Sequence, residues 1–117
     1  MDRVISLLIC LLASVPLAAS GDSIDWCSSR TGAVQRALDS GRLILLLAGR
    51  TTCGNCQYMK GTVCESASVR GVIDADYVCW FCPIDDSTEW YSYAGGLGSF
   101  YLPLICVIDP GSPTAYL

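Results

Sequence analysis

The chain contains no histidine. That absence excludes histidine general-base catalysis and histidine metal ligation. It also excludes haem attachment, which needs a histidine directly after a Cys-x-x-Cys pair. Basic groups are few: seven lysines and arginines stand against eleven acids, giving a net charge of −4. The cations are scattered, whereas a nucleic-acid surface needs them clustered, so no nucleic-acid partner is expected. No internal repeat and no low-complexity tract is present. At 117 residues the chain has room for one domain.

The apolar stretch Val4 to Leu12 follows Arg3 and precedes the small residues Ala18-Ala19-Ser20, with Gly21 next. It is too short to cross a bilayer, which takes about 20 residues. This is the layout of an export signal over residues 1–20, leaving a domain over 21–117. The expected destination is the periplasm or the medium, with no stable membrane insertion after cleavage. An uncleaved anchor or a buried helix is the other reading of the stretch. Ile9 is too large to precede a lipidated Cys10.

Removing the signal leaves seven of the eight cysteines: Cys27, Cys53, Cys56, Cys64, Cys79, Cys82 and Cys106. Export permits disulfides. Seven is odd, so at least one thiol stays unpaired within a monomer. Most of them lie within apolar periodic segments, where a free cysteine acts as a small hydrophobe.

The periodicity predicts alternating elements. Thr31 to Ser40 reads as a helix with Ala33, Val34, Ala37 and Leu38 on one face and Gly41 as its stop. Leu43 to Ala48 is a short, uniformly apolar run between glycines, which suits a central strand covered on both faces. Cys53 to about Ala67 reads as a second helix with a stripe of Cys56, Met59, Val63 and Ala67. Tyr77 to Ile84 is a second strand. Ser87 to Tyr93 is a short helix with Ser87 as its cap. Gly95, Gly96 and Gly98 make a flexible loop before a third strand, Leu102 to Ile108. Asp109-Pro110-Gly111 is a turn, and Thr114 to Leu117 begins a fourth strand. Strands joined through helices pair parallel and strands joined by a tight turn pair antiparallel. The expected fold class is α/β, with a mixed sheet between helices.

The most chemically specific feature is Cys53-Gly54-Asn55-Cys56, placed between the first strand and the second helix. Residues three apart on a helix lie about 60° apart around the axis and roughly 4.5 Å along it, so two sulfurs there can make and break a small disulfide. The first cysteine also meets the unpaired N–H groups and the positive dipole end of the helix, which favour its thiolate.

These residues resemble the thioredoxin-like superfamily, and its secreted, disulfide-isomerase-like members in particular. The similar region runs from about Trp26 to the end. Its landmarks are Ala37-Leu38-Asp39-Ser40-Gly41-Arg42, the strand before the CGNC motif, and Tyr101-Leu102-Pro103-Leu104. The resemblance implies a thioredoxin-like fold, here without the family's final C-terminal helix. It implies that Cys53 attacks and Cys56 resolves, as the redox-active disulfide Cys53–Cys56, with no cofactor and no metal. Pro103 falls at the family's cis-proline, so Leu102 and Pro103 are the implied substrate-binding residues. Partners would be protein thiols and disulfides and a separate redox partner. Two positions depart from the pattern. Thr52 stands where an aromatic residue is common, and Leu47 stands where thioredoxins proper carry a buried acid. The missing acid and the missing final helix leave open a second reading, a redox-inactive thioredoxin-like binding module.

The remaining cysteines carry weaker signals. Cys79-Trp80-Phe81-Cys82 is a second Cys-x-x-Cys, but on a strand its sulfurs point to opposite faces, where no disulfide closes. The two pairs together match a zinc spacing, Cys-x2-Cys-x22-Cys-x2-Cys. A strand would splay two of those four ligands. Cys64 is too far along the helix to reach the dithiol. Cys106 is expected in the core. Cys27, in a polar lead-in, is the expected free or intermolecularly paired thiol. Trp90, Tyr91, Tyr93, Phe100 and Tyr101 flank the glycine loop, either as an apolar rim for unfolded substrate or as core.

Overall fold

A computed structural model describes residues 22–117. The expected signal at 1–20 and Cys10 lie outside the described residues. The first helix, α1 (Arg30–Ser40), is fixed at both ends by local chemistry. Ser29 caps it by accepting the Gly32 N–H at 3.1 Å. Gly41 ends it in the left-handed region, at φ 66°, a conformation that carries no Cβ penalty in glycine. Ala33 and Ala37 are fully buried and bring the helix close to the sheet. Leu38, expected on the same face, is 56% exposed. It lies one residue, about 100°, past Ala37 on a helix whose contact stripe is narrow.

Strand β1 (Leu43–Gly49) is central. It pairs parallel with β2 (Tyr77–Pro83) and antiparallel with β3 (Leu104–Ile108), giving the order β2-β1-β3. This is a mixed sheet flanked by helices, the expected thioredoxin-like architecture. The alternation of side chains splits the core in two. Ile44, Leu46, Ala48, Val78, Trp80, Cys82, Leu104 and Ile108 face α1 and form the larger cluster. Cys79 turns the other way and packs with Cys64 and Ile73 beneath Met59, Val69, Leu45 and Trp26. The expected splaying of Cys79 and Cys82 is therefore what the strand produces.

The second helical segment is not one helix. Helix α2 (Gly54–Tyr58) runs into a π-helical turn over Met59–Val63, closed by the Cys64 N–H on the Met59 carbonyl at 2.9 Å. The extra residue in that turn rotates the chain beyond it, so Cys64 is buried and Ala67, expected in the stripe, is exposed. After a break at Ser66 comes α3 (Ala67–Asp76), a helix that the periodicity does not predict. Its inward face consists of Val69 and Ile73, and Gly71 interrupts its pattern. Arg70 pins it through Glu65 and Asp74, both at 2.8 Å.

The short helix α4 spans Tyr91–Ala94, later than expected, and Ser87 caps only a turn by accepting the Glu89 N–H at 3.2 Å. The expected turn forms, with Ser112 N–H on the Asp109 carbonyl at 3.0 Å. Thr114 to Leu117 forms no strand. One hydrogen bond, Leu117 N–H to the Val107 carbonyl at 2.8 Å, is what ties it to β3. The lead-in is also not loose. Cys27 donates to the Cys79 carbonyl and accepts from the Phe81 N–H, lying along β2 as a one-residue bridge.

Candidate active site

β1 ends at Gly49, and the chain reverses through Arg50-Thr51-Thr52. The turn closes with the Cys53 N–H on the Arg50 carbonyl at 3.2 Å. The Gln57 amide donates to the same carbonyl at 3.1 Å. Cys53 is then the N-cap of α2, with extended backbone at φ −85° and ψ 116°, and its sulfur accepts the Cys56 N–H at 3.2 Å. A side-chain acceptor at the cap satisfies a helix-end N–H that has no partner within the helix. Here that acceptor is a thiol, and the bond favours its ionised form.

The two sulfurs are held in different environments. Cys53 is half-exposed, and its pKa is lowered. The Cys56 thiol contributes most to that shift and the Cys56 N–H next; desolvation opposes them, and the Asn55 N–H and the Arg50 charge add smaller lowering effects. Cys56 is buried, and desolvation first, then its bond to Cys53, raises its pKa. The sulfur nearer the surface is thus the easier of the two to ionise, and the buried one behind it is the harder.

Gly49 makes room for this arrangement. A Cβ on residue 49 would lie 2.5 Å from the Cys56 sulfur, closer than real contacts allow. The sequence marked Gly49 only as a strand boundary, since nothing in the chain says which sulfur packs on it. Arg50 carries no sequence signal either. Its guanidinium meets Asp85, 35 residues away, with Nε 3.1 Å from Oδ1.

The Leu102–Pro103 bond is cis, as the resemblance implied. Ala48 pairs with Leu104 across the β1–β3 ladder, so Pro103 and Leu102 come to the same sheet end as Gly49 and the dithiol. Both are half-buried, and Tyr101 before them is 95% exposed. The aromatic residues of the glycine loop divide. Tyr93 packs edge-on to Trp80, and Trp90 packs on Phe100, all on the larger core. Tyr91 and Tyr101 face solvent.

The other cysteines among the described residues take no part in this site. Cys27, expected to be available for pairing outside the chain, is buried because its backbone is stitched to β2. Desolvation raises the pKa of Cys27, Cys64, Cys82 and Cys106, and pushes Cys79 up to about 12. Cys106 packs against the larger core as expected. With Cys79 and Cys82 entering opposite cores, four sulfurs cannot converge on a zinc ion. Leu47 is buried, and no charged side chain is buried among the described residues, so Cys56 has no internal carboxylate beside it. Also among those residues, no helix is long and apolar enough to cross a membrane.

No curated protein matches the chain. A family model described as thioredoxin-like matches residues 25–110. Such a fold with a Cys-x-x-Cys-spaced pair fits redox function. The matched span takes in every strand of the sheet and both cysteines of the pair, and the chain belongs to the thioredoxin-like family.

Proposed function

We propose that the protein is a thiol–disulfide oxidoreductase that exchanges disulfides with protein substrates through Cys53 and Cys56. The observation that carries this reading is the asymmetry of the pair, with Cys53 half-exposed and its pKa lowered while Cys56 is buried and its pKa raised. The Cys53 thiolate attacks one sulfur of a substrate disulfide. A mixed disulfide forms, the substrate S–S bond breaks, and the departing thiolate takes a proton from water. Desolvation still holds the Cys56 pKa up, but loss of the Cys53 negative charge removes the part of the rise that Cys53 supplied. Cys56 gives up its proton to solvent or to the leaving group and attacks the Cys53 sulfur, expelling the second substrate thiolate. The pair has given up two electrons, the two substrate thiols carry one proton from solvent and one released by Cys56, and Cys53–Cys56 is a disulfide. The reverse order oxidises a substrate dithiol.

Leu102 and Pro103 form the substrate-facing edge in this reading. The β1–β3 ladder begins at Leu104, which supports this reading, since peptide groups ahead of it lie outside the ladder and an extended segment of client could pair with them. Residues 1–20 direct the protein to the periplasm or the medium, where such clients carry disulfides. A separate redox partner recharges the pair.

The test is trapping. A Cys56→Ser variant accumulates mixed disulfides with client proteins on non-reducing gels, because the resolving thiol is gone, and Cys53→Ser does not. Equal trapping by both would reverse or remove the assigned roles. The absence of a buried carboxylate near Cys56 favours the second reading, a binding module without turnover. In that case neither variant traps clients, and the unaltered protein still binds them.

A further inference from the structure

Arg50 lies one residue past β1, and Asp85 lies two residues past its parallel neighbour β2. The two strand ends are tied by the Ile84 N–H on the Gly49 carbonyl at 2.9 Å. The Arg50 backbone is fixed from the dithiol side as well, because its carbonyl accepts from both Cys53 N–H and Gln57. Its side chain therefore starts from a backbone fixed beside the dithiol and reaches out to the Asp85 carboxylate. The carboxylate takes Nε with both oxygens, at 3.1 and 3.2 Å. Among the described residues, Asp85 is the one carboxylate that pairs with Arg50.

We propose that Asp85 is a positioning residue for thiol–disulfide exchange. By holding the Arg50 guanidinium it limits the positive charge presented to the Cys53 sulfur, and so restrains that thiol's reactivity. The proposal rests on the dithiol reading above. The Cys56 thiol and N–H do most to lower the Cys53 pKa, and Arg50, a smaller contributor, is the one full charge among the groups that lower it. Its charge favours the Cys53 thiolate, and the carboxylate that grips Nε keeps the guanidinium from turning fully toward the sulfur. Both side chains are about half-exposed, so the effect is modest and screened by salt.

The experiment measures the iodoacetamide alkylation rate of Cys53 in the reduced full chain across pH, by peptide mapping. Asp85→Asn is expected to alkylate Cys53 about 1.5- to 5-fold faster on the acid side of its titration, the span of an exposed ion pair. It should also make the Cys53–Cys56 pair more oxidising, since a stabilised thiolate stabilises the reduced form. Arg50→Gln is expected to slow alkylation, and Arg50→Lys to restore most of the rate by keeping the charge. In the Arg50→Gln background, Asp85→Asn should lose its effect. In about 1 M salt, where the Debye length is about 3 Å, all variants should converge.

An unchanged rate in Asp85→Asn overturns the proposal. So does an equal acceleration with Arg50 already replaced, which would mean that the carboxylate acts on Cys53 directly. A Cys53 no more reactive than Cys56 in the unaltered protein would overturn the dithiol reading, and this proposal with it. A reactive Cys53 indifferent to Asp85 would overturn this proposal alone.

Discussion

The Cys53 sulfur accepts the Cys56 N–H at 3.2 Å, and the Cys56 sulfur occupies the space that a side chain on residue 49 would need. The first contact predicts an order of reactivity. In a brief iodoacetamide pulse at mildly acidic pH, Cys53 labels first and Cys56 lags. Cys79, whose pKa is pushed up to about 12, labels last. Peptide mapping checks it, and equal labelling of Cys53 and Cys79 would contradict it. The second contact predicts that Gly49→Ala destabilises the reduced protein by about 1–3 kcal/mol, the usual range for overpacking a core. It should also slow closure of the Cys53–Cys56 disulfide, because the Cys56 sulfur must shift. Denaturant titration and the rate of thiol loss on oxidation test the two effects. The pair itself was legible because its chemistry is local: spacing, a preceding strand and a following helix are adjacent in the sequence. Gly49 and the Arg50–Asp85 pair were not legible, because each acts through a neighbour that only the sheet brings near.

Elements with a strong local period were readable, and those held by long-range contacts were not. Helix α1 carries its cap, buried alanines and stop glycine within thirteen residues, Ser29 to Gly41, and formed as expected. Helix α3 shows just two inward apolar residues around Gly71, so its pattern fell below what periodicity can detect. The π-helical turn after α2 turned Cys64 inward, a change of phase that no regular helical period contains. Helix α4 is a single turn held from outside. Arg30 donates to the Glu89 carbonyl at 2.7 Å, to Ser92 at 2.9 Å and to Tyr93 at 3.1 Å. Its guanidinium also lies over the Tyr93 and Trp80 rings, at 5.5 and 6.0 Å. Arg30→Ala is therefore expected to cost about 1–3 kcal/mol and to loosen α4 while leaving the sheet intact. Near-ultraviolet circular dichroism should show lost tyrosine and tryptophan signal, with the far-ultraviolet spectrum retained. Loss of both signals together would mean that Arg30 supports the whole fold instead.

At the scale of the molecule, the buried thiols couple stability to pH. Their folded pKa values lie above the ordinary thiol value of 9.0, Cys79 reaching about 12. Between those limits the unfolded chain releases protons that the folded chain keeps, so stability falls as pH rises. Below 9.0 that contribution is fully present. Cys79 alone accounts for about 1.4 kcal/mol per pH unit in this window. Cys53 has the opposite sign, since its lowered pKa adds stability at high pH that is lost as pH falls through its folded value. Denaturant titrations of the reduced protein should show a steep decline above 9.0, flattened in Cys79→Ala, and a level profile would contradict the burial of these thiols. The mixed sheet was legible from the order of strands and helices, and the family from the resemblance carried by the CGNC motif and Leu102-Pro103, whereas the lead-in bridge at Cys27 was not, since its partners lie about fifty residues on, in β2. The account's central claim is that the Cys53–Cys56 pair exchanges disulfides with protein substrates. The most direct test is insulin reduction by dithiothreitol, followed as turbidity, with the unaltered protein beside Cys53→Ser. Acceleration by the unaltered protein and none by the variant is the predicted result; equal rates for the two, at or near the uncatalysed rate, would contradict the claim.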